Sequence, residues 1–392
     1  MSAEAEAAAA VHPLARLPEE WEALMAQAGE PRYRARQVFR WLHAGASANP
    51  AEMSNLPRPL RARLAEESLE IASEIVAVRR ANDGTRKVLL RLAGNAQIEC
   101  VVIPMKRLEE PSQDADLAAV PEDDDAPVEG APTRVTVCLS TQHGCAMGCV
   151  FCASGRSGLF RGLSAAEVIE QVRVARAQLS PGEVLRNLVF MGMGEPLHHY
   201  GETARALRVL THADGMDLSL RRITVSTVGL VPGIDRLGED FGGKVGLAVS
   251  LHAATDELRN KIVPMNARYS VGDIMAALRR YPLPRRRRIT LEYTLIRDVN
   301  DAAEHARELV RLVRGLKVKI NLIPMNPVAG SGLEASSPER VRAFQEAVAG
   351  SGISCFVRVR RGDDVDAACG QLALGGEAPA PQLIRGIRRK TQ

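Results

Sequence analysis

The sequence predicts an α/β protein: a partial (β/α)6 barrel preceded by a small N-terminal helical module and a few accessory strands. Three observations lead there. From residue 134 onward, short apolar runs over 134–140, 187–192, 222–227, 244–250, 288–295 and 317–323 alternate with helical stretches. Such alternation implies parallel strands joined by right-handed crossovers. Six units are too few for a closed eight-fold barrel, so the barrel is read as open. The chemically unusual residues also fall just after strands. A cysteine loop follows the first and Gly194-Glu195 the second; Ser226 closes the third, Ser250 to His252 the fourth, and Asn326 follows the sixth. All lie at the carboxyl ends, the face on which barrel active sites are built.

The elements follow in order. Residues 1–12 are Ala/Glu-rich and read as a disordered start. Residues 13–104 read as a small basic N-terminal module with accessory strands. Helical patterning from 14 to about 70 includes Val38, Trp41 and Leu42 on one face, and Leu56-Pro-Arg-Pro-Leu60 breaks and restarts the chain. Arg32, Arg34, Arg36, Arg40, Arg58, Arg61 and Arg63 make this part basic, and strands are predicted at 86–92 and 98–103. Residues 105–133 are rich in Pro, Asp and Glu and read as an acidic flexible insert. The barrel with its C-terminal cysteine segment is placed at 134–374, with a further strand near 354–360, and 375–392 form a basic tail. Within the barrel, Ser164-x-x-Glu167 is a capping box opening a helix whose apolar face is Val168, Val172, Ala175 and Leu179.

Composition limits the function. A hydrophobic content of 46% over 392 residues supplies a sizeable core, while aromatics at 4% leave base stacking to a few residues. The net charge of +4 is uninformative alone, but residues 106–132 hold nine acids against two bases. The remainder is cationic, with runs at Arg285–Arg288 and Arg385–Lys390, which favours a polyanionic partner. Either run taken singly reads equally well as a solvated face. The acidic start lacks the bases of a signal peptide, and no stretch approaches the eighteen apolar residues of a membrane span. A cytoplasmic monomer is expected.

Four of the seven cysteines lie in Cys138-x6-Cys145-x3-Cys149-x2-Cys152. Three thiolates at C-x3-C-x2-C spacing on one short loop can hold three irons of a cubic cluster and leave the fourth iron open to a small molecule. A zinc site with Cys138 or His143 as fourth ligand competes. However, structural zinc normally draws on a second ligand pair, and Cys100, Cys355 and Cys369 are scattered. A disulfide framework fits poorly with few, odd-numbered cysteines.

The C-x3-C-x2-C loop is the signature of the radical S-adenosylmethionine (SAM) enzymes. The longer string around Cys138, Cys145, Ala146, Cys149, Phe151 and Cys152 resembles the RNA adenine-C2 methyltransferases, the RlmN family. So do Gly192-Met-Gly-Glu-Pro-Leu197, Ser250-Leu-His-Ala253, Asn321-Leu-Ile-Pro-Met-Asn-Pro327 and Arg361-Gly-Asp-Asp-x-Asp-Ala-Ala-Cys369-Gly-Gln-Leu372, in that order over residues 31 to 374. The resemblance implies a radical-SAM barrel in which Cys145, Cys149 and Cys152 ligate a [4Fe–4S] cluster. SAM chelates the open iron and is cleaved by one electron to a 5′-deoxyadenosyl radical. Gly194 and Glu195 bind the SAM amine, and Ser226, Ser250, Leu251, His252 and Asn326 make further SAM contacts. It also implies that Cys369 takes a methyl group from a first SAM, that Cys138 later resolves the intermediate through a transient Cys138–Cys369 disulfide, and that Glu99 is the proton acceptor. Cys100 and Cys355 have no such counterpart and are read as structural. The implied substrates are 23S rRNA and tRNA, with a small electron-transfer protein as reductant. Two alternatives stand beside this: the related C8-adenine branch that confers antibiotic resistance, and a zinc-stabilised RNA-binding protein without catalysis.

Overall fold

The computed structural model describes residues 10–45, 47–105, 132–358, 361–368 and 370–372. Nearly all of the predicted disordered start and acidic insert, the whole basic tail with Arg385–Lys390, and Cys369 lie outside the described residues.

Three helices open the chain: α1 (Pro18–Gln27), α2 (Tyr33–His43) and α3 (Arg58–Glu66). Val38 and Leu42 of α2 are buried as the periodicity predicts, together with Phe39, whereas Trp41 is only partly buried. The Trp41 indole N–H donates instead to Asn55 at 2.7 Å. Pro57 caps α3 and Pro59 lies in its first turn, where the missing N–H breaks no helical bond. Several arginines are engaged within the protein, on the barrel or on the module itself. Arg40 pairs with Asp214 at 2.6 Å, and Arg34 donates to Gln37 and to the Asn55 carbonyl, both at 2.7 Å.

The strands β1 (Ser73–Arg80), β2 (Arg86–Leu92), β3 (Gln97–Pro104) and β4 (Thr133–Cys138) follow. A small hairpin, β5 (Gln142–Gly144) and β6 (Leu159–Gly162), brackets the one-turn helix α4 (Ala153–Ser157). Strand and helix then alternate: α5 (Ala165–Ala177), β7 (Glu183–Phe190), α6 (Tyr200–Leu210), β8 (Ile223–Thr227), α7 (Val231–Phe241) and β9 (Gly246–Ser250). The series ends with α8 (Asp256–Ile262), α9 (Val271–Arg280), β10 (Ile289–Leu295), α10 (Ala303–Leu312), β11 (Val318–Pro324), α11 (Pro338–Ala349) and β12 (Cys355–Val357). The Ser164 capping box is formed: Glu167 N–H donates to Ser164 Oγ at 3.3 Å, and Ser164 N–H donates to the Glu167 carboxylate at 2.9 Å.

Ten of these strands make one sheet in the order β1-β2-β3-β4-β7-β8-β9-β10-β11-β12. From β4 to β12 every pairing is parallel; from β1 to β4 every pairing is antiparallel. Among the described strands, β1 and β12 end the sheet without pairing to each other. The open barrel is therefore as predicted, with β12 as the further strand, shorter than the 354–360 reading. The domain reading changes in one respect. The accessory strands continue the barrel sheet, because β3 pairs with β4 across the acidic insert. β1 escapes the sequence reading because none of its residues is fully buried, so no alternation betrays it. β7 begins four residues early because Glu183, Arg186 and Asn187 mask its start.

The antiparallel extension is pinned to the barrel by a buried ion pair. Arg86 on β2 is 1% exposed and donates to both Glu183 carboxylate oxygens, at 2.8 and 2.9 Å, and to the Gln178 carbonyl at 2.7 Å. Removing one partner of such a pair strands the other charge. Arg86→Met is expected to lower unfolding free energy by about 3–5 kcal/mol in urea titrations. Adding Glu183→Gln should cost less than the sum of the two single changes, because the orphaned carboxylate is then gone.

Candidate active site

The carboxyl ends of the parallel strands surround a solvent-open cavity. Cys145, Cys149 and Cys152 line it, together with Gly194, Glu195, Ser226, Ser250, His252 and Asn326. Nine of the thirteen residues singled out in the sequence thus meet in one place. Leu251 does not: it is fully buried, its N–H donating to the Glu292 carbonyl at 3.0 Å and its carbonyl accepting from Arg259 at 2.9 Å.

The cysteine loop is shaped by the β5–β6 hairpin. Cys145 N–H donates to the Gly158 carbonyl at 2.8 Å. Gly144 has φ +77°, and a Cβ there would sit 1.9 Å from the Gly158 carbonyl oxygen, so only glycine fits. Burial pushes the Cys145 thiol up to about 12 and the Cys149 thiol well above its usual value. Such thiols stay protonated unless a cation displaces their protons, as soft metals do. Among the described residues no three His, Cys, Asp or Glu side chains converge to hold one metal ion. The competing zinc reading therefore lacks a ready ligand set, while three thiols around one cavity fit a larger iron–sulfur cluster.

The turn after β7 presents a carboxylate. Gly194 has φ +106°, and a Cβ there would lie 2.6 Å from the Gln142 side chain. Glu195 N–H donates to Gln142 Oε1 at 3.0 Å; its carboxylate accepts from Leu197 N–H at 3.0 Å and Val228 N–H at 2.8 Å. Burial raises the Glu195 pKa to about 7 against these backbone donors. A charge so placed is best stabilised by an ammonium entering the cavity. His252, at the end of β9, has φ +59° and is 3% exposed. Burial, aided by Arg259, lowers its pKa to about 3. Thr294 N–H donates to His252 Nδ1 at 2.9 Å, so the neutral ring carries its proton on Nε2.

A second group lies beside the cavity. Cys138, at the end of β4, is 8% exposed and packs with Val101, Val189, Met193 and Leu372, with Met191 and Ala367 against them. Met191 also lines the cavity, and so does Gly370. Ala153 N–H in the cysteine loop donates to the Gly370 carbonyl at 2.8 Å. Glu99, 3% exposed on β3, pairs with Lys87 at 3.2 Å, and Lys87 Nζ donates to the Asp366 carbonyl at 3.1 Å. Burial raises the Glu99 pKa, opposed by Lys87. Cys369 itself lies outside the described residues. Cys100 and Cys355 are buried, 0% and 7% exposed, and neither lines the cavity.

Three residues escape the sequence reading. Glu292 lines the cavity at 4% exposure; Asn321 donates to its Oε1 at 3.2 Å, and Arg358 approaches to 3.9 Å. Thr294 lines it too and fixes His252. Arg259, fully buried on α8, donates to the carbonyls of Val228, Ser250 and Leu251 and to Asn266. Glu292 and Thr294 lie on a predicted strand, whereas Arg259 lies on the helix that follows β9. Position at a carboxyl end was the available signal, which charged residues in ordinary-looking strings did not reinforce.

The raised Glu195 pKa sets a pH dependence. Below about 7 the empty site holds Glu195 protonated, so an ammonium ligand must first expel that proton. SAM affinity measured by equilibrium dialysis should fall by about tenfold per pH unit as pH drops below 7, and level off above it. Glu195→Gln should flatten that profile and weaken binding at pH 8 by roughly 10- to 100-fold.

Comparison with known proteins places this geometry. The Radical SAM superfamily profile matches residues 139–312, and the Ribosomal RNA large subunit methyltransferase N-terminal domain profile matches 17–71. The chain is 56% identical over 391 residues to the dual-specificity RNA methyltransferase RlmN of Sorangium cellulosum, covering 96% of this chain and 99% of that one. It is 46% identical to a protein of the same name from Nitratidesulfovibrio vulgaris, over 94% of each chain. The crystal structure of a radical SAM methyltransferase from Sphaerobacter thermophilus superposes with a TM-score of 0.80 at 42% identity, covering 92% of this chain and 98% of that chain. Identity at this level along almost the whole of both chains leaves one conclusion: this chain belongs to the RlmN family of the radical SAM superfamily.

Proposed function

We propose that the protein is a radical SAM methyltransferase that forms 2-methyladenosine in 23S rRNA, in the peptidyl transferase region, and in tRNA, at the adenine 3′ of the anticodon. Its cofactors are a [4Fe–4S] cluster and SAM. One observation carries the reading. The segment flanking Cys369 reaches both places the chemistry needs, with Gly370 at the cavity and Leu372 and Ala367 in or against the apolar cluster that contains Cys138.

When bound, the cluster and SAM supply a one-electron cleavage that yields a hydrogen-abstracting radical. The chain's residues do the rest. Cys145, Cys149 and Cys152 hold the cluster, and Glu195 with Gly194 receives the SAM amine. Ser226, Ser250, His252 and Asn326 offer polar contacts along the cavity wall, while Leu251 supports Ser250 and His252 from behind. Adenine C2 is an electron-poor sp² carbon, so polar methyl transfer fails there. Cys369 accepts a methyl group from one SAM, gives up a hydrogen atom from it, and its methylene adds to C2. The adduct would give one electron back to the oxidised cluster and its C2 proton to Glu99. The Cys138 thiol then attacks the Cys369 sulfur and the S–CH2 bond breaks. The freed carbon takes up the proton that the thiol gives up to become the product methyl group, and a disulfide remains. Glu99 suits that role because burial makes its carboxylate more basic while Lys87 keeps it within reach of ionisation.

The basic N-terminal module supports an RNA substrate. Arg285–Arg288 contribute less than the sequence suggests: they precede β10, at the amino-terminal end of the strands and away from the cavity, and Arg288 donates to Ser354 at 2.5 Å. The dual-specificity name shared by the relatives favours two RNA classes over the C8-methylating branch. Among the described residues no helix is long and apolar enough to cross a membrane.

The two non-cluster cysteines provide the test. Cys369→Ala should bind cluster and SAM yet make no product. Cys138→Ala should load its methyl group, add it to adenine and stall, giving RNA crosslinked to protein through Cys369. A nuclease-sensitive shift on a denaturing gel for Cys138→Ala alone is the expected result. Retained activity in both variants, without an adduct, overturns the assignment.

A further inference from the structure

Few aromatic residues are exposed in this protein, and one is out of place for a folding role. Phe160 is 49% exposed on β6, one of five large hydrophobic side chains so placed among the described residues. One face of its ring is covered by the His143 imidazole, with centroids 4.4 Å apart and planes 19° from parallel. The hairpin beneath is held rigidly. Arg161 forms a bidentate pair with Glu167 at 2.7 and 2.9 Å and reaches the Ala93 carbonyl at 3.2 Å. Gly144 pairs with Leu159 directly beside the ring, and a Cβ at Gly144 would come within 3.1 Å of Phe160 Cδ2.

The hairpin's position matters as much as its rigidity. Gly144 runs straight into Cys145 of the cavity, and Gln142 of the same hairpin holds Glu195 N–H and contacts His198 Nδ1 at 2.9 Å. Gly162 abuts the His199 ring, and His198, His199, Tyr200 and Arg236 line an open polar pocket next to it.

We propose that Phe160, backed by His143, is a stacking shelf for an unpaired base of the RNA substrate, next to the cavity that takes the target adenine. This rests on the RNA-methyltransferase reading above. Every base has a π-face, so a rigid aromatic shelf grips RNA without fixing sequence, which suits an enzyme serving two kinds of RNA. The neighbouring polar pocket leaves room for the adjoining phosphate and sugar.

The test uses the reconstituted holoenzyme and an unmodified tRNA transcript at fixed salt. Phe160→Ala and Phe160→Leu should each weaken RNA binding by about 5- to 150-fold, the range for losing one base–aromatic stack. Phe160→Trp should bind like the parent, and RNA should quench the new indole fluorescence. Iron content and SAM affinity should stay at parental values in all three. Alanine binding within twofold of the parent, or full rescue by leucine, overturns the shelf. A parent enzyme that neither binds nor methylates the transcript overturns the RNA reading itself; a parent that does both, with an indifferent alanine variant, sinks only the shelf.

Discussion

The cavity depends on one buried cation. Arg259 is wholly excluded from water, and its guanidinium is satisfied by three carbonyls and an amide oxygen rather than by a carboxylate. Those carbonyls belong to Val228, Ser250 and Leu251, so one side chain ties the end of β8 to the end of β9. Burial lowers its pKa to about 10, with Cys149 pulling the other way. A buried charge without a counter-ion is costly. Thiolates are as costly in the same place, which is why Cys145 and Cys149 hold their protons when nothing binds. A metal cluster on the three thiolates, as proposed above, would resolve both costs together. The site is electrostatically incomplete by itself, and its ligands complete it.

That incompleteness explains what the sequence revealed and what it hid. The strands of the parallel sheet were legible because burial on both faces writes continuous apolar runs, and their observed bounds differ from the predicted ones by a few residues. The cysteine loop and the Gly194-Glu195 turn were legible because spacing and glycine encode them locally. Arg259, Thr294 and Glu292 were not. Their roles arise only when strands far apart in sequence align, as when Thr294 N–H meets His252 across two neighbouring strands. β1 and the β5–β6 hairpin were missed for another reason: edge strands and three- or four-residue strands bury too little to leave a period. Leu251 shows the converse limit. A motif match carried it into the cavity, and packing places it behind.

The opening in the barrel is where fold and chemistry meet. Among the described strands the sheet does not close, and the described chain after β12 reaches back towards its other end by side-chain and loop hydrogen bonds. Gly362 N–H donates to Asp83 at 3.2 Å, Asp364 accepts from Asn82 N–H at 3.0 Å, and Lys87 donates to the Asp366 carbonyl at 3.1 Å. These anchors lie on the β1–β2 turn and on β2, in the antiparallel extension that Arg86 fastens to β7. An eighth parallel strand in that gap would bring a full ladder of backbone bonds, and its local opening would approach the cost of global unfolding. The segment is held instead by these polar contacts, by the Ala153 N–H bond to the Gly370 carbonyl and by burial of Ala368 and Leu372, without a strand ladder. The proposed chemistry requires that difference, because one sulfur must meet SAM in the cavity, then an adenine, then the Cys138 thiol. The three antiparallel strands therefore anchor the described part of the chain that follows β12.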